Sequence, residues 1–184
     1  MIGLQKPIGS RKNFSQPEGP RTAEFISLIQ DLLDIDEVQQ LSAFYQHCKT
    51  TRLQHCVNVA YYTFLLARRL NLDVRSATRG ALLHDFYLYD WKNDEQPIEG
   101  RHCEVHPQIA LQMARQFTPV NEVMEDCILR HMWPMSPERP QTAEGWIVQG
   151  VDKFCAMMEM SAQSARKISP IRLKMLMVSV ITRY

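Results

Sequence analysis

Residues 74–89 read VRSATRGALLHDFYLY and place a histidine beside an aspartate near the end of a largely apolar stretch. The spacing of the apolar residues predicts a helix over 74–89, and its small residues provide a face that another helix can approach closely. His84 and Asp85 are neighbours, about 100° apart around such a helix axis, so both side chains can reach one site beside it. This stretch therefore indicates a helical protein with a polar site next to a close helix contact.

Residues 51–70, which precede this stretch, have the pattern of a helix in the centre of the molecule. One apolar row starts at Leu53, and a second continues from His55 at steps of four, three and four residues. A helix that is apolar on most sides must be surrounded by protein. The pattern therefore predicts that His55 points into the core, one turn inside the start of its helix.

The chain after the His84-Asp85 pair begins with a polar loop over 90–103 and continues as helices. His106-Pro107 predicts a helix start, because proline is tolerated in the first turn, and this helix extends to 117. Further helices are predicted over 120–131, with His131 facing inward, and over 143–160, with Asp152 in the middle. Three more are predicted, one starting at 22 and the others over 36–48 and 170–184, and no strand is expected.

The length and composition predict one domain with a flexible extension. Residues 1–20 carry several glycines and prolines among polar residues, which predicts a flexible N-terminal tail. The remaining residues, 21–184, have the apolar content of a single folded domain, since 45% of the chain is hydrophobic.

The charge and the cysteines exclude several function classes. The net charge is +1, so we expect no nucleic-acid polymer and no anionic membrane as a partner. The five cysteines form no C-x-x-C pair, which indicates reduced thiols rather than disulfides. No stretch has the character of a signal peptide or a membrane span, so a cytoplasmic protein is predicted, with a homodimer left open.

Four histidines predicted to face inward, together with two aspartates, are the strongest chemical signal. Burying so many ionisable groups is unfavourable unless a metal ion supplies the compensating charge. We expect Asp85 to bridge two ions, because its two oxygens can each contact one of them. The first ion is assigned to His55, His84, Asp85 and Asp152, and the second to Asp85, His106 and His131.

This set resembles the H…HD…D signature of the HD superfamily of metal-dependent phosphohydrolases. His55, His84-Asp85 and Asp152 carry the signature, and the sequences ALLHDF at 81–86 and VDK at 151–153 are similar to it as well. His106 and His131 resemble the extra histidines of the binuclear branch of that superfamily. The resemblance covers about residues 45–160 and implies an all-α helical bundle, with the metal site between the central helices.

The departures from the pattern narrow the substrate. The HD-GYP phosphodiesterases of the binuclear branch usually have a lysine where this chain has Leu88, and MWPM follows His131 in place of their Gly-Tyr-Pro motif. A cyclic dinucleotide is therefore not favoured. The stretch HDFYLYDW at 84–91 is instead similar to a group of small bacterial HD proteins of unassigned substrate.

Several further residues are candidates for substrate handling. His47 lies just before the helix of His55 and is a candidate general acid, with a plain surface histidine as the alternative. Four residues near the metal ligands are candidates for binding phosphate, and exposed side chains are the alternative for each of them: Lys92, Arg101, His102 and Lys153.

The expected function is hydrolysis of a phosphomonoester or phosphodiester in a nucleotide or another small phosphorylated substrate. The resemblance implies attack by a hydroxide that bridges the two metals and is oriented by Asp85. The cofactors are two divalent transition metals, iron or manganese first, with zinc, nickel or cobalt also suited to these ligands.

Two alternatives remain open on the sequence. The diiron HD-type oxygenases, which cleave a C–C or C–P bond with O₂, have the same set of six ligands. Tyr45 is similar in placement to a tyrosine that caps one iron in the phosphonate-cleaving group, and a core tyrosine is the other explanation. The second alternative is an HD protein that is used only to bind a ligand.

Overall fold

The computed structural model of the chain describes residue 8 and residues 19–47, 49–93 and 97–167. The described part is mostly helical, which confirms the predicted all-α class, but it also contains one small antiparallel hairpin. The predicted helix over 170–184 and most of the predicted tail lie outside the described residues. The elements in chain order are α1 (Pro20–Leu33), α2 (Asp36–Gln40), a 3₁₀ helix (Leu41–Ala43), β1 (Tyr45–His47), β2 (Thr50–Thr51), α3 (Arg52–Arg69), α4 (Val74–Leu83), α5 (His102–Phe117), α6 (Glu122–Leu129) and α7 (Ala143–Lys167).

Helix α3 lies in the centre and packs against both α4 and α7, as its apolar pattern predicts. It begins at an N-cap, Thr51, whose side chain accepts a hydrogen bond from the backbone N–H of Gln54. Twelve of its residues are buried, among them His55. Ile8, ahead of α1, also contacts this helix, because its backbone N–H donates to Asn58 and its carbonyl accepts from Tyr62.

The small-residue face of α4 allows α6 to approach closely. A Cβ added at Gly80 would lie 2.7 Å from the Cβ of Cys127, so only glycine fits there without a shift of one helix. The N-cap of helix α4 is Asp73, whose side chain accepts a hydrogen bond from the backbone N–H of Ser76 at 2.9 Å. The close contact predicted for this stretch is therefore confirmed.

The predicted helix over 74–89 is too long, because α4 ends at Leu83. His84 and Asp85 lie in turns closed by the bonds from Phe86 N–H to Leu83 and from Tyr87 N–H to Asp85. The carbonyls of Tyr87 and Tyr89 accept instead from the guanidinium of Arg52, at 2.5 and 3.1 Å. This buried arginine replaces the backbone bonds that a longer helix would have supplied.

Three other predicted boundaries are also wrong. Helix α5 begins at His102, four residues before the predicted start. The backbone carbonyl of Arg101 accepts from the N–H groups of Glu104 and Val105 and so closes the first turn. Helix α6 ends at Leu129, so His131 lies in the turn that follows it. The predicted helix over 36–48 ends early, since the chain from Tyr45 forms the hairpin with β2.

The start of α7 is held by a buried carboxylate on α6. Asp126, 2% exposed, accepts hydrogen bonds from the N–H groups of Gln141 and Thr142 and from the Thr142 hydroxyl. Gly145 lies against it, so close that an added Cβ would be 2.2 Å from a carboxylate oxygen. These bonds position α7 and therefore Asp152. None of the helices in the described ranges is apolar over a length that could cross a membrane.

Candidate metal centre

The structure brings the six predicted ligands together in the core. Each is at most 9% exposed. They come from five segments of the chain: His55 from α3, His84 and Asp85 from the turns after α4, His106 from α5, His131 from the turn after α6, and Asp152 from α7.

Asp85 is shared between two groups of side chains. Its Oδ2 lies 3.5 Å from Nε2 of His84. Its Oδ1 lies 3.2 Å from Nε2 of His106 and 3.6 Å from Nε2 of His131. The two oxygens of one carboxylate therefore face different histidines, as a bridging ligand requires.

Asp152 completes the group on the His84 side. Its Oδ1 lies 3.0 Å from Nε2 of His55 and 3.8 Å from Nε2 of His84. Ligand atoms of His55, His84 and Asp152 lie within 4.8 Å of one another, and so do those of His84, Asp85 and His131. Both groups are compact enough to surround an ion.

Three of the histidine rings are oriented by backbone carbonyls. In each case Nδ1 lies 2.7 Å from a carbonyl three or four residues earlier, that of Ala81 for His84, His102 for His106 and Ile128 for His131. A carbonyl only accepts, so Nδ1 carries a proton, and Nε2 is the nitrogen left unprotonated when the ring is neutral. That is the form in which histidine binds a metal.

The arrangement of these atoms fits divalent cations. Nε2 of His106 lies 3.0 Å from Nε2 of His131, and two unprotonated nitrogens at that distance repel each other. Nε2 of His84 and Oδ1 of Asp85 are buried with no hydrogen-bond partner among the described residues. A cation held by imidazole and carboxylate would satisfy all four atoms.

The protonation states of Asp85 and Asp152 also suit the binding of a cation. Burial alone would raise the pKa of Asp85, but positive charge at the surrounding histidine positions holds it well below its usual range. Burial also opposes ionisation of Asp152, and its hydrogen bond with His55 lowers its pKa well below the ordinary value. Both side chains are therefore carboxylates, ready to bind a cation.

The pKa of His131 is lowered, which favours the neutral ring that binds a metal. Burial is the main reason that the pKa of His131 is lowered, to about 3. The ring is consequently neutral across the physiological range. Metal binding there requires no loss of a proton.

Glu159, which the sequence analysis did not single out, supports His55. Its carboxylate lies 3.1 and 3.2 Å from Nδ1 of His55 and accepts from the amide of Asn58 at 2.7 Å. Burial lowers the pKa of His55, but the bonds to Asp152 and Glu159 outweigh it and raise the pKa to about 10. Glu159 lies seven residues after Asp152, on the same face of α7, and that spacing could have found it.

Gln46 and Arg52 form a second support that the sequence analysis missed. The amide of Gln46 donates to Oδ2 of Asp85 and accepts at its own oxygen from Nε of Arg52 at 3.0 Å. Arg52 is fully buried, with its guanidinium 3.6 Å from the ring centre of Tyr87 and 4.9 Å from that of Phe44. In the sequence, the available signal for this support was Arg52, a charged residue at the start of a helix predicted to be buried.

The candidate ligands open into a cleft of about 270 Å³. Asp85, His106, His131 and Asp152 are among its lining residues, together with apolar residues that include Trp91. A larger cleft of about 670 Å³ lies beside Arg130 and Trp146, but none of the six predicted ligands lines it. The smaller cleft is therefore the place where a ligand can reach the centre.

The other predicted site residues divide between this cleft and the surface. His102 and Lys153 line the cleft, and Nζ of Lys153 donates to the carbonyl of His131 and lies 3.1 Å from Oδ2 of Asp152. Lys92 and Arg101 are not among the lining residues, and the side chain of Arg101 is 68% exposed and paired with Glu104.

His47 and Tyr45, on β1, have different environments. His47 lines the cleft, with its ring centre 5.0 Å from that of His55. Burial, followed by the charge of His55, lowers the pKa of His47, which disfavours the protonated ring that a general acid requires. Tyr45 is 63% exposed, so the residue that linked the sequence to the oxygenases faces away from the core.

Similar proteins include several ribonucleases. Ribonuclease Y of Deinococcus radiodurans is 35% identical over 104 residues, which are 56% of this chain and 16% of that protein. Ribonuclease Y of Desulforudis audaxviator is 31% identical over 104 residues, 56% of this chain and 18% of that protein. Ribonuclease Y of Thermus thermophilus is 32% identical over 104 residues, 56% of this chain and 16% of that protein. The matched part is less than a fifth of each relative, and no solved structure matches the chain.

The prediction that a nucleic-acid polymer is not a partner is wrong, because these relatives are named for their action on RNA. The prediction relied on a net charge of +1, and net charge averages over local surfaces of opposite sign. A catalytic cleft can hold a strand locally even when the whole chain is nearly neutral.

A family model, the HD domain, matches residues 52–157, and this range contains all six predicted ligands. The match supports a metal-dependent phosphohydrolase and implies that the site binds divalent metal. Since it covers more than half of the sequence, the chain belongs to the HD domain family.

Proposed function

We propose that this chain is a binuclear phosphohydrolase that cleaves phosphoester bonds of nucleotides, either free or within RNA. The observation that carries the proposal is the position of Asp85, whose two oxygens face His84 on one side and His106 with His131 on the other. Such a carboxylate suits two ions that share it. Iron or manganese is proposed first, and zinc, nickel and cobalt also suit imidazole and carboxylate ligands.

Two divalent ions at this centre supply Lewis acidity and lower the pKa of water toward neutrality. The protein's own groups would hold the substrate beside them. The ammonium group of Lys153 lies at the edge of the cleft, where it can meet a phosphate oxygen. Gln46 and Glu159 keep Asp85 and His55 in place through the hydrogen bonds described above.

The size of the cleft limits how much substrate it can enclose. A volume of about 270 Å³ is slightly below the range of about 300–1,000 Å³ that encloses a drug-sized ligand. We therefore expect one nucleotide unit to enter, with the rest of any strand outside. The ribonuclease relatives support RNA as one source of that unit.

The test compares manganese-loaded and iron-loaded protein, each under argon and in air, on nucleoside monophosphates, dinucleotides and short RNA. We expect release of phosphate or nucleotide with manganese, because hydrolysis needs no change in the oxidation state of the metal. Activity that requires iron and consumes O₂ would instead support the oxygenase alternative. A protein that binds two ions and hydrolyses none of these substrates would exclude the proposal.

A further inference from the structure

A column of stacked rings leads from the metal centre to the surface. The ring of His102 stacks on that of His106, with centres 4.6 Å apart and planes 25° apart. The indole of Trp91 stacks on His102 in turn, with ring centres 5.0 Å apart and only 14° between the planes. The outermost ring, Trp91, is 43% exposed, whereas His106 is 3% exposed. The column therefore ends in an accessible indole.

Hydrogen bonds hold the middle ring of this column in place. The hydroxyl of Tyr89 lies 3.3 Å from Nδ1 of His102, and that of Tyr87 lies 3.5 Å from Nε2. Tyr87 is itself stacked on the buried guanidinium of Arg52. Because these hydrogen bonds hold the ring of His102, on which Trp91 stacks, the indole offers a pre-oriented flat surface rather than a freely rotating one.

The same cleft combines this flat surface with the metal ligands. Trp91, Met132, Met135 and Ala156 give most of the cleft an apolar lining, and thioethers adapt well to aromatic rings. Nζ of Lys92 lies 5.2 Å from the indole centre. A ligand that matches both the metal ligands and the flat surface of Trp91 has a phosphate at one end and a planar ring at the other.

We propose that Trp91 is a nucleobase-binding residue, on which the base of a nucleotide stacks while its phosphate lies at the metal centre. This rests on the proposed function and narrows it, because it favours nucleotidyl phosphoesters over sugar phosphates. Bases stack on aromatic side chains in a sequence-tolerant way, since every base has an aromatic face. The subsite would thus serve a free nucleotide and the end of a strand alike.

The experiment measures equilibrium binding of adenosine 5′-monophosphate and of ribose 5-phosphate, each as its non-hydrolysable phosphonate analogue, to the manganese-loaded full chain by calorimetry. We expect Trp91→Leu to weaken binding of the nucleotide by about 5-fold to 150-fold, the range for loss of one base stack. Trp91→Phe, which keeps a ring, should retain most of the affinity. Binding of ribose 5-phosphate should not change in either variant.

The matched control is Trp146→Leu, because Trp146 is similarly exposed at 41% but lies at the other cleft. This variant should bind both probes like the unchanged protein. An equal loss for both probes in Trp91→Leu, or no loss for either, would overturn the base subsite. Binding needs no turnover, so nucleotide binding that depends on Trp91 without hydrolysis would exclude only the proposed function.

Discussion

At the scale of single residues, the site depends on side chains whose roles differ in how visible they are in the sequence. His55, His84, Asp85 and Asp152 could be predicted because the spacing of an HD signature is linear information. Glu159 and Gln46 are not part of that signature, and only the fold creates their hydrogen bonds to His55 and Asp85. A glutamate on a helix is most often solvated, whereas Glu159 is 1% exposed.

Asp85 provides the most direct test of the two-metal proposal. We expect Asp85→Ala to lose metal at both positions, because the substitution removes a ligand from each ion. Elemental analysis after dialysis, with Asp34→Asn as a control for an exposed carboxylate, measures the change. Full metal content in Asp85→Ala would contradict the bridging role.

Glu159 is expected to act through His55. The substitution Glu159→Gln keeps the shape of the side chain but removes the charge that faces Nδ1 of the ring. Loss of such a supporting carboxylate typically lowers metal affinity about 10-fold to 100-fold. Manganese titration measures the change, and Glu99→Gln, at an exposed loop position, should have no effect.

At the scale of elements, the sequence predicted which segments are helical better than where they end. Helices α4 and α6 both end one or two residues before a candidate ligand, at Leu83 and Leu129. Apolar periodicity continues past both ends, because the following residues are buried in turns rather than in helices. The hairpin was missed because it is only three and two residues long.

Arg52 links α3 to the segment after α4, and its loss should destabilise the protein. Arg52→Met leaves the buried carbonyls of Tyr87 and Tyr89 without donors, and each unsatisfied group costs about 1–3 kcal/mol. We expect the free energy of unfolding in urea to fall by roughly 2–5 kcal/mol. Arg69→Met, at the exposed end of α3, should change it by less than about 0.5 kcal/mol.

Two glycines of α7 should respond to the same substitution in opposite directions. Gly145→Ala forces a methyl group against the carboxylate of Asp126, and such overpacking costs about 1–3 kcal/mol. Gly150 is exposed with no atom within 4 Å of an added Cβ, so Gly150→Ala should stabilise the helix by up to about 1 kcal/mol. Thermal unfolding of both variants provides the comparison, and equal effects would contradict the proposed packing.

At the scale of the whole molecule, the candidate centre connects α3, α4, α5 and α7 with the turn after α6. The overall class was predictable because a helical pattern and a linear signature agree across the chain. The exclusion of a nucleic-acid polymer was wrong because it relied on net charge, and composition cannot describe local surfaces. The carboxylate of Asp126 and the ring column at Trp91 are likewise properties of the assembled fold.

Metal binding should therefore stabilise the whole protein rather than one helix. At a manganese concentration of about 100 times the dissociation constant, one site adds about 2.7 kcal/mol to the free energy of unfolding. We expect a chelator to lower the midpoint of thermal unfolding, with loss of all helices in one transition. The variant Asp85→Ala should be insensitive to both manganese and chelator, and an equal response in that variant would mean that the ions stabilise another site.

The three rings oriented by nearby carbonyls have a consequence for protein engineering. Each Nδ1 bonds to a carbonyl only three or four residues earlier, so the aim of Nε2 is encoded within a single stretch of chain. A histidine placed in this way could be transplanted to the end of a helix in an unrelated scaffold with its tautomer already chosen. Only the distances between such modules would then have to be designed.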